Sequence, residues 1–140
     1  MKKAIALLLA LVMVFALCAC GGGDKGTADN GEKVVKIGVF EPASGDSGAG
    51  GKKEMLGMQY ANQETPTVEI GGETYKVELV YSDNGSDSAK AVSAASKLVN
   101  EKVSLVLGSY GSGVSIAASD TFKQAGIPAI GVTCTNPNVT

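Results

Sequence analysis

Hydrophobic and polar positions divide the chain into three stretches. Ala4 to Leu17 is an unbroken apolar run. Gly21 to Lys33 is polar and glycine-rich, with no large apolar residue. From Val34 onward, short β-branched or alternating runs take turns with longer helical periods. Val34 to Phe40 reads as a strand, and residues 41–51 as a loop of Gly, Ser and Pro. A helix is predicted from Lys52 to Glu64, with Leu56 and Tyr60 four apart and Met55 and Met58 three apart. Thr74 to Tyr81 alternates as a second strand and ends in an Asp83-Asn84-Gly85 turn. Ser86 to Lys102 is the clearest helix, with Val92, Ala95 and Val99 on one face and Asp87 or Ser88 as its cap. Val103 to Leu107 is a short third strand. A helix then runs to about Ala125, with Ala118 and Phe122 on one face and Gly126 as its stop. Ile127 to Val132 is a fourth strand, and residues 133–140 are loop.

Strand and helix in strict alternation predict an α/β domain with a doubly wound parallel sheet and right-handed crossovers. In such sheets ligands bind beyond the carboxyl ends of the strands. Those ends are residues 41–51, 82–87, 108–113 and 133–137, all rich in Ser, Thr, Gly, Asp or Asn.

The first stretch has the grammar of an export signal. Lys2 and Lys3 precede the apolar run, and small residues follow it before Cys20. Cysteine directly after Ala19 resembles a bacterial lipobox. Residues 1–19 are then a lipoprotein signal peptide, Cys20 is the lipidated first residue, and residues 20–33 are a flexible tether. Two acyl chains on Cys20 suffice for stable anchoring to the outer face of the cell membrane. A plain signal peptide or an uncleaved anchor are the alternatives. The uncharged run is shorter than the about 20 residues a span requires.

Composition excludes several chemistries. The chain has 12 basic and 14 acidic residues, and no histidine. All the basic residues are lysine. Lys2 and Lys3 leave with the signal, so the remainder is mildly acidic and offers no footprint for nucleic acid. Without histidine there is no Ser-His-Asp triad, Cys-His pair or His-ligated metal. Cys134 is the one thiol left after Cys18 and Cys20, so no internal disulfide or cysteine-rich metal site is expected.

The strand-end loops carry the candidate chemistry. Gly45 to Lys53 sits where a phosphate loop would, but Asp46 replaces its first glycine and Lys53 its hydroxyl residue. Gly108-Ser109-Tyr110-Gly111-Ser112-Gly113 opens a helix, whose free N–H groups attract a carboxylate or phosphate. Ser112 adds a hydroxyl, and Gly111 and Gly113 let a ligand come close. Ser112 as a simple cap of its own helix remains the alternative. Thr133-Cys134-Thr135-Asn136-Pro137 follows the neighbouring strand and brings Thr135 across from Ser112. That constellation suits an α-carboxylate, although Thr135 also fits an ordinary turn before Asn-Pro. Asp83 and Asp87 either bind an ammonium or hydroxyl or, the favoured reading, cap the helix. Cys134 reads as a packing residue.

Val34–Gly45 (VVKIGVFEPASG), the Asp83-Asn84 turn, Val106-Leu107-Gly108, Ala118-Ser119-Asp120 and Ala125-Gly126-Ile127-Pro128 fall in one order. From Val34 to Thr140 the chain thereby resembles the branched-chain amino-acid-binding proteins of ABC transporters, whose leucine-binding-protein domain has the type I periplasmic-binding fold. The resemblance implies a two-lobed clamp without catalysis or cofactor, which hands an amino acid to ABC permease subunits. It implies a ligand carboxylate on Ser112 and Thr135 and an ammonium on the carbonyl of Thr133. Residues 34–140 would be part of lobe one, with the hinge and lobe two beyond Thr140. A tethered sensor, an exported enzyme of the same fold class, or a binder of amides, urea or short peptides are the competing readings.

Two features depart from the family pattern. The disulfide that joins the second and third strand ends in well-known members meets Asn84 or Gly85 and Gly111 here. The aromatic residue of the first loop, which lies over the ligand side chain, meets Gly50.

Overall fold

The computed structural model describes residues 31–140. The expected signal peptide, Cys20 and most of the tether lie outside the described residues. Among the described residues, no helix is long and apolar enough to cross a membrane.

Five strands form one sheet in the order β2-β3-β1-β4-β5. They are β1 (Val34–Val39), β2 (Thr67–Ile70), β3 (Glu73–Tyr81), β4 (Leu105–Leu107) and β5 (Ala129–Ile130). β1 pairs in parallel with β3 on one side and β4 on the other, and β4 pairs in parallel with β5. The helices are α1 (Gly48–Glu64), α2 (Ser88–Asn100) and α3 (Ser112–Ala125). A 3₁₀ turn, Pro137–Val139, closes the chain.

The sheet is mixed rather than wholly parallel. β2 was absent from the sequence reading, and it runs antiparallel to β3 at the edge. Gly71 and Gly72 make the turn between them, both with positive φ (61° and 81°), as a two-residue hairpin turn of the primed type requires. β5 is also shorter than the expected Ile127–Val132, because its pairing to β4 is confined to Ala129 and Ile130. Val132 is exposed.

α2 and α3 cover one face of the sheet and enclose the core. Phe40, Ala91, Ala94, Ala95, Leu98, Val103, Val106, Val114, Ala118 and Phe122 form one buried cluster. Phe40 and Phe122 meet edge to face, with centroids 5.5 Å apart. Burying such a ring contributes about 1.5–3 kcal/mol. Gly38 lets the layers close, since a Cβ there would lie 3.0–3.2 Å from Val106, Leu98 and Val103.

α2 buries Ala95 and packs Val99 against the core as expected, but Val92 of the expected face points to solvent. Its buried residues are Ala91, Ala94, Ala95 and Leu98, while Val92 is 50% exposed. Asp87 is the cap, accepting the Ala89 N–H at 2.8 Å. α3 buries Ala118 and Phe122 as expected. It ends at Gly126, whose left-handed conformation (φ 69°) glycine adopts without strain.

α1 begins at Gly48, inside the stretch read as loop. Three glycines in its first turn are unfavourable by propensity, but close approach demands two of them. A Cβ on Gly51 would come 2.2 Å from the Pro42 carbonyl oxygen, and one on Gly50 2.6 Å from the Tyr110 ring. Leu56 and Tyr60 are exposed. On this second face, α1 and the sheet leave an apolar cleft of about 720 Å³ between them.

Candidate functional site

The carboxyl ends of β1, β3 and β4 meet at one edge of the domain, where buried polar side chains knit their loops together. Asn84, fully buried after β3, donates to the Phe40 carbonyl at 3.1 Å and to Ser109 Oγ at 3.0 Å. One side chain thus ties three strand ends. Among the described residues the free cysteine is Cys134, so this hydrogen-bonded amide joins the second and third of the expected strand ends where the resemblance offered a disulfide.

Asp83 clamps the first loop to the second. It accepts N–H bonds from Ala43 (2.8 Å), Ser44 (3.3 Å) and Gly85 (2.8 Å), and the Ser44 hydroxyl at 2.7 Å. Partial desolvation raises its pKa, but those four hydrogen bonds outweigh it and hold the carboxyl below its usual range. Asp83 therefore orders a loop, whereas the helix cap expected of it belongs to Asp87 alone.

Ser112 is the first residue of α3, and the capping position is Gly111, whose residue type offers no side chain. The serine does not cap its own helix. Its Oγ accepts the N–H groups of Thr135 (3.1 Å) and Asn136 (3.3 Å). A hydroxyl has two acceptor sites and one donor. With both acceptor sites occupied, the Ser112 proton is left to donate outward. The first amides of α3 have no side-chain cap, and the positive end of the helix adds its partial charge.

The structure therefore brings Ser112, Thr135 and the α3 terminus together. Thr133 stands at the same edge, its hydroxyl donating to the Tyr110 carbonyl at 3.3 Å. Its own carbonyl and the Thr135 hydroxyl have no hydrogen-bond partner among the described residues. A Cβ on Gly111 or Gly113 would meet nothing nearer than 3.7 Å or 3.8 Å. Backbone packing does not demand glycine at either position, and the space beside the helix end stays open. Cys134 packs between Ser115 Oγ (3.2 Å) and the Ser109 carbonyl (3.4 Å).

Three residues of this edge escaped the sequence reading. Tyr110, 43% exposed, lays its ring on Gly50. An aromatic side chain from the β4–α3 loop thus covers the point where the first loop carries glycine. Glu41 is buried under the loop and accepts the Tyr110 N–H at 2.8 Å. Glu54 lies beside it on α1. Glu41-Pro42 directly after a β-branched strand was the available signal, since a charge there must be solvated or partnered.

A family profile described as periplasmic binding protein matches residues 34–140. The chain belongs to the periplasmic binding proteins. It is 34% identical over 129 residues to the Leu/Ile/Val-binding protein homolog 2 of Brucella abortus, covering 92% of this chain and 33% of that protein. Among solved structures it is similar to the leucine-binding protein LivK of Thermotoga maritima, with a TM-score of 0.69 and 36% identity over 76% of this chain and 29% of the other. The branched-chain amino acid transporter substrate-binding protein LivJ of Streptococcus pneumoniae, solved with isoleucine, gives a TM-score of 0.67 and 33% identity, over 76% of this chain and 31% of the other. The chain spans about a third of the length of these relatives. The α/β architecture is accordingly that of the type I periplasmic-binding fold, in part.

Proposed function

We propose that this periplasmic binding protein is the capture component of an ABC importer and takes an amino acid, of branched-chain type, outside the cytoplasmic membrane. The observation that carries the reading is the Ser112 hydroxyl. It is held by the Thr135 and Asn136 amides at the uncapped N-terminus of α3, with its proton free for a carboxylate. Thr135 offers a second hydroxyl, and Gly111 and Gly113 leave room for the ligand. The Thr133 carbonyl supplies an acceptor for the ammonium. Tyr110 presents an apolar ring beside the site for the ligand's side chain. The isoleucine bound to the Streptococcus pneumoniae relative supports the ligand class. On this reading the protein binds and releases without reacting, uses no cofactor, and delivers to permease subunits. Cys20 would carry the lipid that keeps it beside them.

Calorimetry on a chain continued to its relatives' length tests this. Leucine, isoleucine or valine is expected to bind, and Ser112→Ala to weaken binding at least about tenfold, the value of a hydrogen bond to a charged group. Failure of all three amino acids to bind, or unchanged affinity in the variant, would overturn the reading.

A further inference from the structure

Beneath the site loop lies a pair of acidic side chains for which ligand capture has no evident use. Glu41 is 1% exposed. Its Oε2 accepts the Tyr110 N–H, and its Oε1 lies so near Gly108 that a Cβ there would come within 2.5 Å of it. That Oε1 and both oxygens of Glu54 are shut off from solvent with no donor group facing them. The ion pairs of the described residues involve Lys33, Lys36 and Lys76, none of which reaches either glutamate. Two carboxylates cannot bond each other, because neither can donate. Side by side and buried, they would also repel. One proton between them removes a charge and supplies the missing donor.

The surrounding elements present no other partner. α1 contributes Glu54, with Lys52 and Lys53 exposed. The β4–α3 loop contributes Tyr110, whose ring lies on Gly50. The loop after β3 contributes Asp83, turned to Ala43 and Ser44. Cys134 is turned to Ser115 and Ser109.

We propose that Glu41 and Glu54 share one proton at neutral pH and thereby hold the Tyr110–Ser112 loop in place. Glu41 is a positioning residue, acting through the Tyr110 amide two residues before Ser112. Burial first, then the hydrogen bond and charge of Glu54, push the Glu41 carboxyl up to about 8, against the opposing pull of the Tyr110 amide. When that proton leaves, two negative charges stand under the loop and drive it apart.

Carbon-13 NMR of the glutamate carboxyls in the full chain, with the Tyr110 amide followed by nitrogen-15, tests the pair. One carboxyl should titrate near 8 instead of 4.5, and the Tyr110 amide should shift along the same curve. Glu54→Gln keeps a donor and removes the charge, so it should lower that midpoint and leave the Tyr110 amide constant through the window. If every glutamate titrates below about 6, or the Tyr110 amide ignores the titration, the proposal fails; should Glu54→Gln not fold, the wild-type curves decide alone. The consequence for ligand rests on the function proposed for the site. In a chain of its relatives' length, affinity should fall as pH rises past the midpoint, and stay flat in Glu54→Gln. Absence of ligand binding at every pH would count against the proposed function alone, since the NMR curves judge the proton pair.

Discussion

At the residue scale, two carboxyls pull stability in opposite directions with pH. Glu41 has a folded pKa raised to about 8 from 4.5. Its contribution is fully present below about 4.5 and is lost as pH climbs through 8, by at most about 1.4 kcal/mol per pH unit for one proton. Asp83 is the reverse case. Its folded pKa lies below the ordinary 3.8, so its contribution is present above that value and is lost as pH falls further. Stability should therefore be greatest in mildly acid solution, near pH 4.5–5. Asp83→Asn is expected to cost about 1 kcal/mol at pH 5, the scale of a net hydrogen bond, and progressively less as pH falls below 3.8 and the wild-type carboxyl takes up its proton. Urea denaturation midpoints of both proteins at several pH values would show this, and an equal cost at every pH would refute it. These residues also mark how far side-chain roles could be read from the chain. Asp87 as a cap followed from its place before a helix. Glu41 and Asp83 did not, because the partners that fix them come from 13, 69 or about 40 positions away, and no local pattern records that.

At the element scale, hydrophobic period found the helices but not always the face they bury. Of the Val92, Ala95 and Val99 stripe, Ala95 is buried and Val99 packs against the core, while Val92 is exposed. The buried residues of α2 are Ala91, Ala94, Ala95 and Leu98, so the inward face is rotated away from Val92. Substitution separates the two faces. Leu98→Ala should cost about 2–5 kcal/mol as a buried cavity, whereas Val92→Ala should stay within about 0.5 kcal/mol. Equal losses in the denaturation midpoints of the two variants would place Val92 in the core as well. β2 was missed for a different reason. Its alternation, Thr67-Val68-Glu69-Ile70, is short, and Gly71-Gly72, the hairpin turn that follows it, drew no reading. The start of α1 was hidden because its glycines argue against helix, and only the close approach of Pro42 and Tyr110 explains them.

At the scale of the whole molecule, the two faces of the sheet are unlike. One is sealed by α2 and α3 around Phe40 and Phe122. The other carries Val35, Ile37, Val77, Leu79, Leu105 and Leu107 into the cleft that α1 only partly covers. The wall of the cleft is apolar, and apolar area left in water costs about 25 cal/mol per Å². An apolar reporter dye such as anilinonaphthalene sulfonate should therefore bind the folded chain of residues 20–140 and fluoresce at native pH. Ala61 lies on the exposed rim of the cleft, so Ala61→Lys should weaken that fluorescence without unfolding the protein. Far-ultraviolet circular dichroism would confirm that the variant is folded. If the dye stays dark, or if it responds equally to Ala61→Lys and wild type, the cleft is closed in solution and the second face is better covered than α1 alone accounts for.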